Sequence, residues 1–146
     1  MKRFLVLLFV AVPVHAEIRG AVRGGVFLHN DNATVGTIEL DGRYGNWSFA
    51  PAYEFIHGGH DLKAAHIDVR RYFKALWIGA GPTFISSRVP ASETTWNADA
   101  GVEWRRQSVW QPFVAVRYYR FRMPIFHDEI RASGSVVSIG ISLRLR

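Results

Sequence analysis

Apolar and polar residues alternate with a period of two through most of this chain, most cleanly at its C-terminal end. In Ser138-Ile139-Gly140-Ile141-Ser142-Leu143-Arg144-Leu145-Arg146, one face carries Ile139, Ile141, Leu143 and Leu145, the other Ser138, Gly140, Ser142, Arg144 and Arg146. Successive side chains of a strand point to opposite sides, so this period marks a strand with one apolar and one polar face. The same pattern predicts eight strands, over 18–28, 34–44, 47–56, 62–73, 76–85, 95–105, 113–122 and 136–145. In the fourth, Ala65, Ile67, Val69 and Phe73 oppose His66, Asp68, Arg70 and Tyr72. In the sixth, Trp96, Ala98, Ala100, Val102 and Trp104 oppose Asn97, Asp99, Glu103 and Arg105. The fifth is apolar and glycine-rich on both faces, which leaves its register open, and the seventh is ambiguous toward its end. Pro51, Pro82 and Pro112 fall near or inside these segments, and without an N–H they are expected at bulges or strand starts.

The connections at 45–46, 74–75 and 106–108 are short, whereas 57–61, 86–93 and 123–133 are longer; the first, around 30–32, is a short exception. An even strand count with alternating connection lengths predicts an all-β fold, an eight-stranded antiparallel up-and-down transmembrane β-barrel. A soluble barrel hides its apolar face inside, and a membrane barrel turns it outward. The polar face here holds Arg19, Arg23, Arg43, Arg70, Arg105, Arg117 and Arg144 against Glu39, Asp41, Glu54, Asp68, Asp99 and Glu103, with His66 among them. That near-balance predicts a salt-bridged lumen plugged by side chains, because eight strands leave room for little else. Tyr44, Trp47, Phe55, Phe73, Trp96, Trp104 and Tyr118 fall near strand ends on the apolar face, as two interfacial girdles would.

The N-terminus changes the picture from a barrel to an exported barrel. Met1-Lys2-Arg3 is a short basic region, residues 4–14 are apolar apart from Pro13, and Val14-His15-Ala16 offers a cleavage site. Residues 1–16 are expected to be a secretory signal peptide and 17–146 the outer-membrane barrel. There is no cysteine, so no disulfide framework. Formal charge is +6, two units of which belong to Lys2 and Arg3. On an exported chain that excess suits anionic lipid head groups, and no nucleic-acid partner is expected.

Few residues look like chemistry. His29, His57 and His60, with Asp31 and Asp61 nearby, lie toward strand ends but form no dense metal motif, and no metal or cofactor is expected. Gly79 and Gly81 lie in a strand and are read as packing or curvature positions.

Two resemblances sharpen these expectations. Ser138, Gly140, Leu143 and Leu145 fill the polar-x-Gly-x-x-apolar-x-apolar spacing of the C-terminal signal read by the bacterial outer-membrane assembly machinery, although Arg146 follows where that signal usually ends on an aromatic. The segments Ser48-Phe49-Ala50-Pro51 with Tyr53-Glu54-Phe55, Ile78-Gly79-Ala80-Gly81, and Ala100-Gly101-Val102-Glu103-Trp104 resemble strands of the lipid A 3-O-deacylases. After a Val-Arg pair on the seventh strand, that family carries a His and, two residues later, a Ser. Here the pair is Val116-Arg117, and the two positions hold Arg120 and Arg122. A guanidinium is neither a general base nor an acyl-accepting nucleophile. No catalytic residue is therefore expected, and Arg120 and Arg122 become candidate ligands for lipopolysaccharide phosphates.

The expected role is a small structural or surface-interaction barrel, partnered by outer-membrane lipid, lipopolysaccharide and the assembly machinery. Oligomeric state stays open. Two alternatives stand beside it: a lipid A ester hydrolase, active or degenerate, and a soluble periplasmic barrel that binds a small apolar ligand.

Overall fold

The computed structural model describes residues 16–28, 33–58, 61–87, 92–104, 108–125 and 128–145. It contains β1 (Glu17–Leu28), β2 (Ala33–Tyr44), β3 (Trp47–His57), β4 (Leu62–Phe73), β5 (Leu76–Ser87), β6 (Ser92–Glu103), β7 (Trp110–Ile125) and β8 (Asp128–Arg144). Each strand pairs antiparallel with the next, and β8 returns to β1 to close the barrel. Closure sets Arg19 opposite Arg144. The start of β1 and the end of β8 therefore share one end of the barrel with the turns at 45–46 and 74–75, called here the turn end. Gly45 and Lys74 both have positive φ, 59° and 60°, as tight two-residue hairpins demand.

The alternation decides which side is which. Ile139 is 68% exposed and Ile38 60%, while Arg19, Glu54 and Asp68 are 0% exposed. The outer wall is apolar and the lumen charged, opposite to what a soluble ligand-binding barrel requires. The open register of β5 is resolved: Trp77, Thr83 and Ile85 face the lumen, and Ile78 and Phe84 face out. Along β7, Gln111, Phe113, Ala115, Arg117 and Tyr119 face in.

Several expected boundaries move. The stretch 123–133, read as a long loop, is a β-ribbon that continues β7 and β8 through the pairs Met123↔Ile130 and Ile125↔Asp128. β6 begins at Ser92 and ends at Glu103, and β7 begins at Trp110. Next to these ends Trp104 N–H donates to Pro112 O and Arg144 N–H to Val109 O, both 2.9 Å. Ladder pairing also runs deep into the other loops, so the contrast between short turns and long loops is weaker than the sequence suggests.

Pro51 and Pro82 sit neither at strand starts nor at shifts in register. The β2–β3 ladder steps from Glu39↔Ala52 to Gly42↔Phe49, and the β4–β5 ladder from His66↔Thr83 to Val69↔Ala80. Each proline thus interrupts one ladder, while Pro51↔Ile67 and Pro82↔Trp96 keep the other. Pro112 lies near the start of β7.

Candidate functional site

The lumen is built in layers. At the turn end, Arg43 donates in bidentate fashion to Glu103, at 3.0 and 2.9 Å, and its Nε to Asp41 at 2.6 Å. The Tyr72 hydroxyl donates to the same Asp41 oxygen at 2.9 Å, and the guanidinium lies 4.4 Å from the Tyr72 ring. Arg19 and Arg144 share Glu17. Above them Trp77 packs edge-on against Phe113, centroids 5.7 Å apart. Such edge-to-face pairs add attraction beyond the buried area.

The central layer is ionic. Arg70 donates Nε to Asp99 at 2.9 Å and Nη2 to Glu39 at 2.7 Å. Arg117 donates to Asp68 at 2.6 Å and to Glu54 at 3.2 Å, and Arg23 approaches Glu39 at 3.4 Å. Beside it, the Asn97 amide donates to Asp68, Thr83 Oγ1 and Gly81 O. The Tyr119 hydroxyl donates to Glu54 and lies 3.2 Å from His66 Nε2; Thr83 Oγ1 lies 2.9 Å from His66 Nδ1. With the Tyr119 proton spent on Glu54, the network assigns the imidazole proton to Nε2 and leaves Nδ1 to accept from Thr83. Phe27, Val35, Ile56, Ala64, Ile85 and Val136 then cap the loop end.

Glycines make room for this filling. A Cβ on Gly101 would enter the Trp77 ring, one on Gly140 would meet Phe113 and Arg23, and one on Gly134 would meet Phe27. Gly79 lies in the same way under Asp99 and Arg70.

Among the residues expected in the lumen, Arg19, Arg23, Glu39, Asp41, Glu54, His66, Asp68, Arg70, Asp99, Glu103 and Arg117 are buried there, and Arg43 is half-buried. Arg144 keeps lumen parity and pairs with Glu17, but stands exposed at the mouth, where β8 ends. Arg105 lies outside the described residues. Of the aromatic and apolar layers, the alternation places Tyr72 on the lumen face and leaves the other members unassigned. Parity was the signal available, since Tyr119 lies two residues from Arg117 and Phe27 four from Arg23.

Chemistry on the outer surface is sparse. The girdles are exposed: Tyr44, Trp47, Phe73, Trp104 and Trp110 ring the turn end, with Tyr53, Phe55, Phe84, Trp96 and Tyr118 toward the loop end. Arg120 is exposed on the outward face of β7. Arg122 pairs in register with Arg131, a third loop-end arginine that the sequence reading did not single out; nothing is described of either side chain. A shallow depression of about 260 Å³ between Tyr53 and Phe84, floored by Ala65, opens beside Lys63, Ser86 and Thr94. Of the histidines near strand ends, His57 meets Asp61 at 2.6 Å, and His29, Asp31 and His60 lie outside the described residues. No group of three metal-ligating side chains occurs among the described residues. Ser138 and Gly140 face the lumen, and Leu143 and Leu145 the outer wall.

No family model and no curated protein matches this chain. Solved structures do, and they define the class: the fold is that of eight-stranded transmembrane β-barrels. Neisserial surface protein A superposes with a TM-score of 0.60 at 12% identity, over 89% of this chain and 97% of that one. The N-terminal barrel domain of Pseudomonas aeruginosa OprF gives 0.61 at 12%, over 88% and 97%. A de novo designed transmembrane barrel gives 0.57 at 14%, over 88% and 95%. Natural and designed chains share this architecture, so the likeness speaks for the fold and not for a role.

Proposed function

We propose that this chain is a small, non-catalytic barrel of the bacterial outer membrane, with its turn end in the periplasm and its loop end among lipopolysaccharide head groups. The solved barrels of the same fold and the apolar outer wall support the membrane location. The observation that carries the surface role is the contrast between two sets of arginines. Each described lumen arginine meets a carboxylate within 4 Å. Arg120, exposed on the outer face, has no such partner among the described residues. A phosphate accepts two parallel N–H bonds from a guanidinium, so lipid phosphates are the natural counter-ions for Arg120, with Arg122 and its register partner Arg131 beside it. The depression between Tyr53 and Phe84 suits a neighbouring acyl chain. The test replaces Arg120 and Arg122 together by Ala and measures lipopolysaccharide that co-purifies with the folded barrel. A drop of about fivefold or more is expected; unchanged lipid content sinks the reading. The deacylase-like alternative requires a base and a nucleophile on this strand face, where the chain offers arginines. Incubation with lipid A is accordingly expected to release no fatty acid.

A further inference from the structure

A second outward arginine lies at the opposite end of the barrel. Arg71 is exposed on the outer face of β4, two residues before the strand ends at Phe73. Its guanidinium carbon lies 5.3 Å from the ring centroids of both Trp47 and Phe73. Trp47 faces it directly across the β3–β4 ladder, and Phe73 follows two residues along the same face. The preceding residue, Arg70, points inward and has its donors taken by Glu39 and Asp99. Arg71 has no carboxylate partner among the described residues. The adjoining surface is apolar: Phe49 pairs with Val69 two pairs further from the turn, and Ile78 pairs with Arg71 itself.

These features belong together physically. A guanidinium over two aromatic rings is attracted to both, and that contact favours one placement of the side chain at the rim. Ordering this side chain in advance lowers the entropy cost of binding. The fork of N–H donors matches two oxygens of a phosphate, and a membrane boundary supplies phosphates where it supplies few other anions.

We propose that Arg71, caged by Trp47 and Phe73, binds the phosphodiester of a glycerophospholipid in the leaflet at the turn end. The acyl chains of that lipid lie along Phe49, Val69 and Ile78. The inference rests on the membrane reading above but not on Arg120 or Arg122, which lie at the other end.

The experiment folds the full barrel in dodecyl maltoside, adds dioleoylphosphatidylglycerol, and counts retained lipid by native mass spectrometry. Dioleoylglycerol, with the same chains and no phosphate, serves as the comparison. Arg71→Gln is expected to lower retention of the first phospholipid about fivefold or more, with Arg71→Lys intermediate and Trp47→Leu partial. Unchanged retention in Arg71→Gln overturns the proposal. Equal retention of dioleoylglycerol by the unmodified chain also overturns it. Unboiled gels separate the two levels: a chain that never gains a heat-modifiable form overturns the membrane reading and this site with it. A folded barrel without phosphate selectivity overturns the site alone.

Discussion

Arg70 and Arg71 are neighbours in sequence with opposite fates, and the contrast shows what one residue contributes here. Arg70 joins Glu39 and Asp99 in the lumen and stacks 5.6 Å from Trp77. Removing it takes the nearest cation from two buried carboxylates and leaves them only the longer contacts to Arg23 and Arg117, so Arg70→Leu is expected to cost about 3 kcal/mol, read from urea unfolding of the folded barrel in lipid vesicles. Arg71→Gln, exposed at the rim, is expected to cost less than about 0.5 kcal/mol in the same assay. Gly101 shows the steric side. Gly101→Val drives a side chain into Trp77 and is expected to abolish the heat-modifiable form, and adding Trp77→Leu is expected to restore part of it. At this scale the sequence revealed charged lumen positions well, because a charge on an alternating strand has only one tolerable side. It revealed Trp77 and Tyr119 poorly. An aromatic is at home in a lipid girdle or in a packed lumen, and only the parity of its charged neighbours distinguishes the two.

Strands as elements were legible from the period of two, and their ends were not. Pairing in β7 and β8 continues where composition suggests a loop, since hydrogen bonding between two chains does not require a buried face. Among the described residues the β6–β7 ladder reaches Asn97↔Tyr119 and the β1–β8 ladder Leu28↔Ser135, while β7 and β8 go on pairing with each other to Ile125↔Asp128. Replacing residues 121–132 by a tight turn is expected to leave the barrel folded and heat-modifiable; loss of the shift would show that the ribbon belongs to the wall. The C-terminal strand separates packing from recognition. Gly140 lies under Phe113 and Arg23, while Leu145 faces out at the turn end. Gly140→Val is expected to impair refolding in vitro with no assembly machinery present. Leu145→Ser is expected to refold normally in vitro and to lower the outer-membrane level in cells.

The molecule as a whole is a filled cylinder with an apolar wall. Ionic, aromatic and aliphatic layers close the lumen in turn, so planar-bilayer recordings of the pure protein are expected to show no steady conductance. Fold class was readable because closure, parity and girdles all follow from one repeated pattern. The role was not, because the outer surface offers few distinctive groups and most of them are cations at the two rims. Everything proposed at those rims depends on the apolar wall facing lipid. The direct measurement is to express the chain with residues 1–16 in a Gram-negative host, separate the membranes, and run the outer-membrane fraction on gels with and without boiling. Recovery in that fraction, with mobility that shifts on heating, is the predicted result. A product found soluble in the periplasm, with no heat-dependent shift, would contradict the inside-out barrel and every lipid site built on it.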